Sequence, residues 1–262
     1  SSVGLSKFYP LLMDPDIQEI YLDRMGRSIY VDHSGYGRLL TNIAPRLQDV
    51  ESLVTNLRRN SGRELDFRIP SIKGDLQTKA FIARVAIDSY PLVDSEYAVD
   101  IRKLRRIPFS LTELVKQRSI TDNLAAMLVA SLAFKLNISI VGEPGSGKTT
   151  LLSALDCLTP SWWRKIYIED AVELRPSDEE SSSFNLRIIV DPFESRNTSR
   201  RKSQEIIKVL HRNPSYVVLG EVQFKDHFLA LFQAMAAGIR LIHTAHAPSG
   251  TGFVKRITEV YN

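Results

Sequence analysis

The sequence predicts an α/β protein in two parts: an N-terminal α/β domain over residues 1–105, including a flexible basic linker, and a second domain over residues 106–262 built on a mostly parallel sheet. Three observations predict it. A glycine-rich loop, VGEPGSGKTT, lies at 141–150 between a short apolar run and a leucine-spaced helix. Downstream of it, further apolar runs end in ionisable residues, the pattern of parallel strands that carry a ligand-binding edge. Upstream, strand and helix signals alternate over about a hundred residues without any such loop.

Composition agrees with this division. At 262 residues the chain has room for two domains, and 44% hydrophobic residues supply a real core for each. The net charge of +4 and pI of about 9.1 permit contact with an anionic surface without arguing for one. Cys157 is the single cysteine, so no internal disulfide forms; it stands among leucines and reads as core, not as a nucleophile. No apolar run reaches the ~18 residues of a membrane span, and the first residues show no signal-peptide pattern.

In chain order, Glu19–Leu22 and Ser28–Asp32 read as strands about a turn at Gly26, with another turn at Ser34–Gly37. Leu47, Val50, Leu53, Val54 and Leu57 make one helical stripe that stops near Gly62. From Phe81 to Ile87 the alternation of Phe81, Ala83, Val85 and Ile87 predicts a half-buried strand, with Arg84 on its opposite face. The passage VDIRKLRRIP at 99–108 carries Arg102, Lys103, Arg105 and Arg106, and reads either as a solvated basic linker or as a cationic joint beside a site. Ser110 and Glu113 form a capping box for a helix through about Gln117. A second helix, opened by Thr121 or Asp122, carries Leu124, Met127, Leu128, Leu132 and Phe134 into the strand before the glycine-rich loop. The polar run Ser177–Ser183 is expected to be an exposed loop.

The glycine-rich loop matches G-x-x-x-x-G-K-[ST] from Gly142 to Thr149. Ile138, Ile140 and Val141 supply the strand before it, and Leu151, Leu152, Leu155 and Leu158 the helix after it. Backbone N–H groups and the positive end of the helix dipole then converge on an anion. Gly142, Glu143, Pro144, Gly145, Ser146, Gly147, Lys148, Thr149 and Thr150 are therefore the expected nucleotide-binding segment. Within it Lys148 reaches the β and γ phosphates of ATP, and the Thr149 hydroxyl serves magnesium.

Hydrolysis also needs magnesium held and a water oriented in line. Glu221, directly after the apolar run YVVLG, is placed to polarise that water or to hold Mg2+. Glu169, Asp170 and Glu173 form a second acidic set, of which at least one can share the metal or the water. His246 closes the run that begins at Leu241, and by position alone it is as easily structural as functional.

Together these motifs resemble the secretion ATPase superfamily, the ring motors of type II and type IV secretion systems, type IV pili and archaeal surface filaments. Four stretches carry the resemblance: VGEPGSGKTT as Walker A, YIEDAVELR at 167–175 as the Asp box, VVLGEVQ at 217–223 as Walker B, and GIRLIHTAH at 238–246 as the His box. The resemblance implies a RecA-like second domain, Mg-dependent ATP hydrolysis, and catalytic roles for Lys148, Glu173, Glu221 and His246. It also implies that Arg84 and Arg102 reach the ATP phosphates, with IRK at 101–103 as a hinge. DPDIQEI and YGRLLTN look most like archaeal-type members.

By the same resemblance the protein is expected to form a homo-oligomeric ring, a hexamer. It is expected in the cytoplasm, peripheral to the inner face of a membrane, against a polytopic platform protein of a secretion or pilus system. Three positions depart from the family pattern: Gln223 replaces an arginine, Ile239 a histidine, and His211 an arginine. These losses of titratable groups leave open a nucleotide-binding regulatory or structural subunit with little hydrolysis. A nucleic-acid motor shares the loop, but no basic stripe interleaved with aromatics supports it. The chain stops soon after the His box, where members continue into a helical subdomain, so a truncated or shortened member is expected.

Overall fold

The computed structural model describes residues 5, 7–62, 64–105, 107–170, 184–190 and 202–261. They fall into two compact units, Ser1–Arg106 and Ile107–Asn262.

The first unit is a six-stranded antiparallel sheet with helices on one face. Its elements are α1 (Tyr9–Met13), β1 (Ile17–Leu22), β2 (Tyr30–His33), β3 (Gly37–Leu40), α2 (Leu47–Ser61), β4 (Ser71–Gln77), β5 (Ile82–Ser89) and β6 (Tyr97–Leu104), in sheet order β3-β2-β1-β6-β5-β4. The α2 stripe of Val50, Leu53, Val54 and Leu57 is fully buried against Ile72, Leu76, Val85 and Ile101. Gly62 ends α2 in a left-handed conformation, φ 65°, with its N–H returned to the Arg58 carbonyl. The predicted strand at 81–87 is β5, and its even side chains, Arg84 among them, lie on the face away from this core.

One expectation is overturned here. Residues 99–104, read as part of a flexible joint, are the central strand β6, paired over eight positions with β5 and four with β1. Val99 and Ile101 point into the core with 1% exposure, and Asp100 and Arg102 point out. The hinge reading of Ile101–Lys103 therefore fails, because a strand held on both sides cannot pivot within itself. Lys103 is folded back within the same unit, its ammonium donating to the Asp14 carbonyl, and burial holds its pKa below the ordinary lysine value.

The second unit is a parallel sheet between two helical layers. Its elements are α3 (Leu111–Lys116), α4 (Asp122–Ala133), β7 (Ile138–Gly142), α5 (Lys148–Asp156), β8 (Lys165–Glu169), β9 (Asn185–Ile189), α6 (Lys202–Lys208), β10 (Tyr216–Val222), α7 (Lys225–Ala236), β11 (Leu241–His246) and α8 (Gly250–Tyr261). The order is β7-β11-β10-β8-β9, and every pairing is parallel. Alternate strand residues feed separate cores: Tyr167, Tyr216, Val218 and Ile242 pack under α3–α5, and Ile166, Ile168, Val217 and Leu219 under α6–α8.

The capping box of α3 forms as expected, Ser110 Oγ accepting from the Glu113 N–H while the Glu113 carboxylate accepts from the Ser110 N–H. Leu128 and Leu132 of α4 are buried, but Met127 and Phe134 are 59% and 78% exposed, so the helix buries a narrower face than its composition suggests. Leu158 lies beyond α5 and is exposed, and Cys157, expected in the core, is a half-buried residue at the end of α5.

Candidate nucleotide site at the sheet edge

The loop after β7 turns directly into α5, whose first residue is Lys148. Gly145 and Gly147 have φ of 75° and 85°, a left-handed backbone that lets successive amides face one point. A Cβ on Gly142 would stand 2.5 Å from Ser146 Oγ, so a larger residue at the base of the loop would displace the Ser146 side chain. The loop suits a phosphate because it is set on the N-terminus of a nine-residue helix.

Three predicted residues from distant parts of the sequence converge at the loop. The Lys148 ammonium, 9% exposed, donates to the Glu143 carbonyl at 2.8 Å and to His246 Nδ1 at 3.1 Å. Because an ammonium only donates, Nδ1 accepts, and the imidazole proton lies on Nε2. That nitrogen contacts Glu221 Oε1. The other carboxylate oxygen, Oε2, accepts from the Gln223 amide at 2.6 Å. The sequence reading treated Gln223 only as a lost arginine, but its side chain is the partner of the glutamate two residues earlier.

A bulge aims Glu221. The pairing of β10 with β11 slips by one residue between Leu219 and Glu221, and the Thr244 hydroxyl donates to the freed Gly220 carbonyl. A bulge bends the strand and redirects the side chain beyond it. Here it redirects Glu221 toward the terminal residue of β11, His246.

The acidic set at the end of β8 divides. Glu169 is 1% exposed and paired with Arg187 of β9. Asp170 takes two contacts from the Lys202 ammonium, at 3.0 and 3.2 Å. Glu173 and Arg106 lie outside the described residues, as does the run Ser177–Ser183. Thr149 and Thr150 occupy the first turn of α5 behind Lys148. A cavity of about 330 Å³ opens between the loop and the α3–α4 connection, lined by Phe109, Leu114, Ile120, Ser146, Thr150 and Leu151.

Arg84 and Arg102 belong to the first unit, where β5–β6 pairing sets them directly opposite one another. They occupy the middle of a charged row that crosses all six strands, Asp75, Arg84, Arg102, Glu19, Asp32 and Arg38. Arg84 reaches Asp75 at 3.5 Å and Arg102 reaches Glu19 at 3.8 Å. Two like charges side by side on a strand pair are unfavourable by themselves, and the flanking carboxylates offset this.

Residues 12–261 match the family model described as type II/IV secretion system protein. Among curated relatives, an uncharacterized protein of Methanocaldococcus jannaschii is 29% identical over 97% of this chain, which spans 45% of that relative's length. The type IV secretion system protein PtlH of Bordetella pertussis is 27% identical over 97% of this chain and 79% of its own. Among solved structures, the pilus retraction motor PilT with bound ADP aligns at TM-score 0.70 and 16% identity, covering 98% of this chain and 71% of that one. At that identity the match concerns the fold alone. The family match extends over both units and nearly the whole sequence, so the chain belongs to the type II/IV secretion system protein family.

Proposed function

We propose that the protein is an ATP-hydrolysing motor subunit of a secretion or pilus-type machine, working as a Mg-dependent ATPase within a homo-oligomeric ring. The observation that carries the reading is the convergence of Lys148, His246 and Glu221 beside the glycine-rich loop. Membership of the secretion family supports it. Among the described residues no helix is long and apolar enough to cross a membrane, which suits work against a membrane platform protein from one side.

In this reading the loop amides and Lys148 hold the β and γ phosphates of ATP, and the adjoining cavity takes the base. Thr149 and Glu221 would hold magnesium, which when bound neutralises charge on the transferred phosphoryl group. To serve a phosphate, Lys148 leaves His246 Nδ1, and the chain from lysine through histidine to glutamate opens at its first link. His246 then keeps Nε2 toward Glu221, so the carboxylate that orients the attacking water is set by whether phosphate is present. The histidine is thereby a sensor in series with the base. Glu173 would share the metal or the water. Arg84 and Arg102 would reach the phosphates from the first unit, coupling nucleotide state to domain closure.

Substituting Lys148→Ala should reduce steady-state phosphate release to background, and turnover at the wild-type rate would refute the assignment. Gln223 favours a second reading. Gln223 holds one oxygen of Glu221 from the water, and in that arrangement the subunit would bind ATP but hydrolyse it slowly. Gln223→Ala separates the two: a faster enzyme supports restraint by Gln223, whereas an unchanged fast rate in both proteins leaves the motor reading alone.

A further inference from the structure

We infer that Lys202 and Arg256, which no motif includes, are positioning residues that brace the Glu221 segment from both sides and set its distance to the ends of β8 and β11. The inference rests on the ATPase reading of the same site.

The segment needs a brace because the bulge at Gly220 interrupts its ladder to β11. Beyond the bulge the ladder to β11 resumes one residue out of register, at Glu221 and Val222, while pairing with β8 ends at Leu219, so Glu221 is held by a neighbouring strand on one side only. Two cations from different helices supply the missing restraint. Lys202, the first residue of α6, is 1% exposed; its ammonium donates to both Asp170 oxygens and to the backbone carbonyl of Glu221. Arg256 of α8 donates from Nη1 to the His246 carbonyl at 2.8 Å and from Nη2 to the Gln223 carbonyl. Its guanidinium lies 5.4 Å from the ring centre of Phe228 in α7, which keeps the fork from swinging. Carbonyls at Glu221 and two residues later are thus each held by a cation. Each cation has a second hold on a neighbouring strand end, Asp170 after β8 and His246 at the end of β11.

Stability is a poor explanation for such groups. A fully buried ammonium carries a desolvation penalty of several kcal/mol, and apolar residues of similar volume often replace a buried ion pair at no loss. What an apolar residue cannot do is donate to two carbonyls, or to a carbonyl and a carboxylate, at once. Both cations spend their donors on the frame of the site, so their effect passes through Glu221 and His246.

The experiment measures steady-state ATP hydrolysis and fluorescent ATP-analogue binding for the full chain and for Lys202→Met, Arg256→Met and Arg256→Lys, with melting curves to establish folding. The expected result is a kcat lowered about tenfold or more in both methionine variants, analogue affinity within about threefold of wild type, and Arg256→Lys recovering at least about a third of the activity. Folded methionine variants with kcat within about twofold of wild type would overturn the inference. So would a loss of binding that equals the loss of turnover. If Lys202→Met does not fold, Arg256→Met decides. If the wild-type chain binds the analogue but does not hydrolyse ATP, the ATPase reading falls. Hydrogen exchange over residues 217–224 then decides the bracing: faster exchange in both methionine variants supports it, and unchanged exchange refutes it.

Discussion

Two histidines three residues apart on β11 do opposite things. His246, at the strand end, touches charged partners on both ring nitrogens. His243 is 1% exposed, with Nε2 2.7 Å from the Ser139 hydroxyl, and burial pushes its pKa down to about 4. The folded protein therefore holds His243 neutral, while the unfolded chain protonates it near 6.5. Between those values the unfolded state binds the extra proton, so stability falls as pH drops from 6.5 toward 4, by about 3 kcal/mol in all. Urea unfolding at pH 7 and pH 4.5 should show this loss, and His243→Gln should flatten it; an equal slope in the variant would assign the loss to other groups. The sequence displayed both histidines equally, since depth within a sheet depends on neighbours that come from β7 and β10. Lys202 was illegible for the same reason: its partners lie 32 and 19 positions away.

Elements were legible where their signal is local. The glycine loop, the α3 capping box and the α2 stripe each rest on residues within a turn or two of one another. Strand β6 is hard to read from the sequence because four basic residues in five positions, 102–106, mask the alternation of Val99 and Ile101. Arginine suits a strand whose outer face is polar, and the place of β6 between β5 and β1 supplies that setting. The second element-scale feature is the seat of α5. Asp156, near its end, takes the Lys165 ammonium at 2.9 Å and the Tyr167 hydroxyl at 2.9 Å, with both ionic side chains under 10% exposed. This pins the helix that carries Lys148 onto β8. Burial and the Asp156 charge hold the Tyr167 pKa well above its ordinary value, so the phenol remains a donor. Asp156→Ala leaves a buried ammonium without its counter-charge and should lower stability by about 3–5 kcal/mol, whereas Asp156→Leu with Lys165→Met should recover most of that loss. Chemical denaturation measures both; a double variant as unstable as the single one would show that the pair contributes more than mutual neutralisation.

At the scale of the whole molecule, the two units have separate cores and unequal shares of the proposed chemistry. Every described member of the phosphate cradle and its sensor chain lies in 107–262, while Arg84 and Arg102 lie in the first unit on the outer face of the antiparallel sheet. If those arginines serve only the charged row they stand in, the second unit is self-sufficient. If they stabilise charge on the transferred phosphoryl group, the second unit binds ATP and fails to hydrolyse it, because a group needed only in the transition state adds little to ground-state affinity. The isolated fragment 107–262 and the full-chain variant Arg84→Ala with Arg102→Ala test this from two directions. Both are expected to keep analogue affinity within about tenfold and to lose turnover about a hundredfold or more, the scale of an arginine acting on transferred phosphate. A fragment that turns over as fast as the full chain would confine the chemistry to the sheet edge. A double variant that turns over normally while the fragment fails would leave the first unit a role in assembly and none at the phosphates.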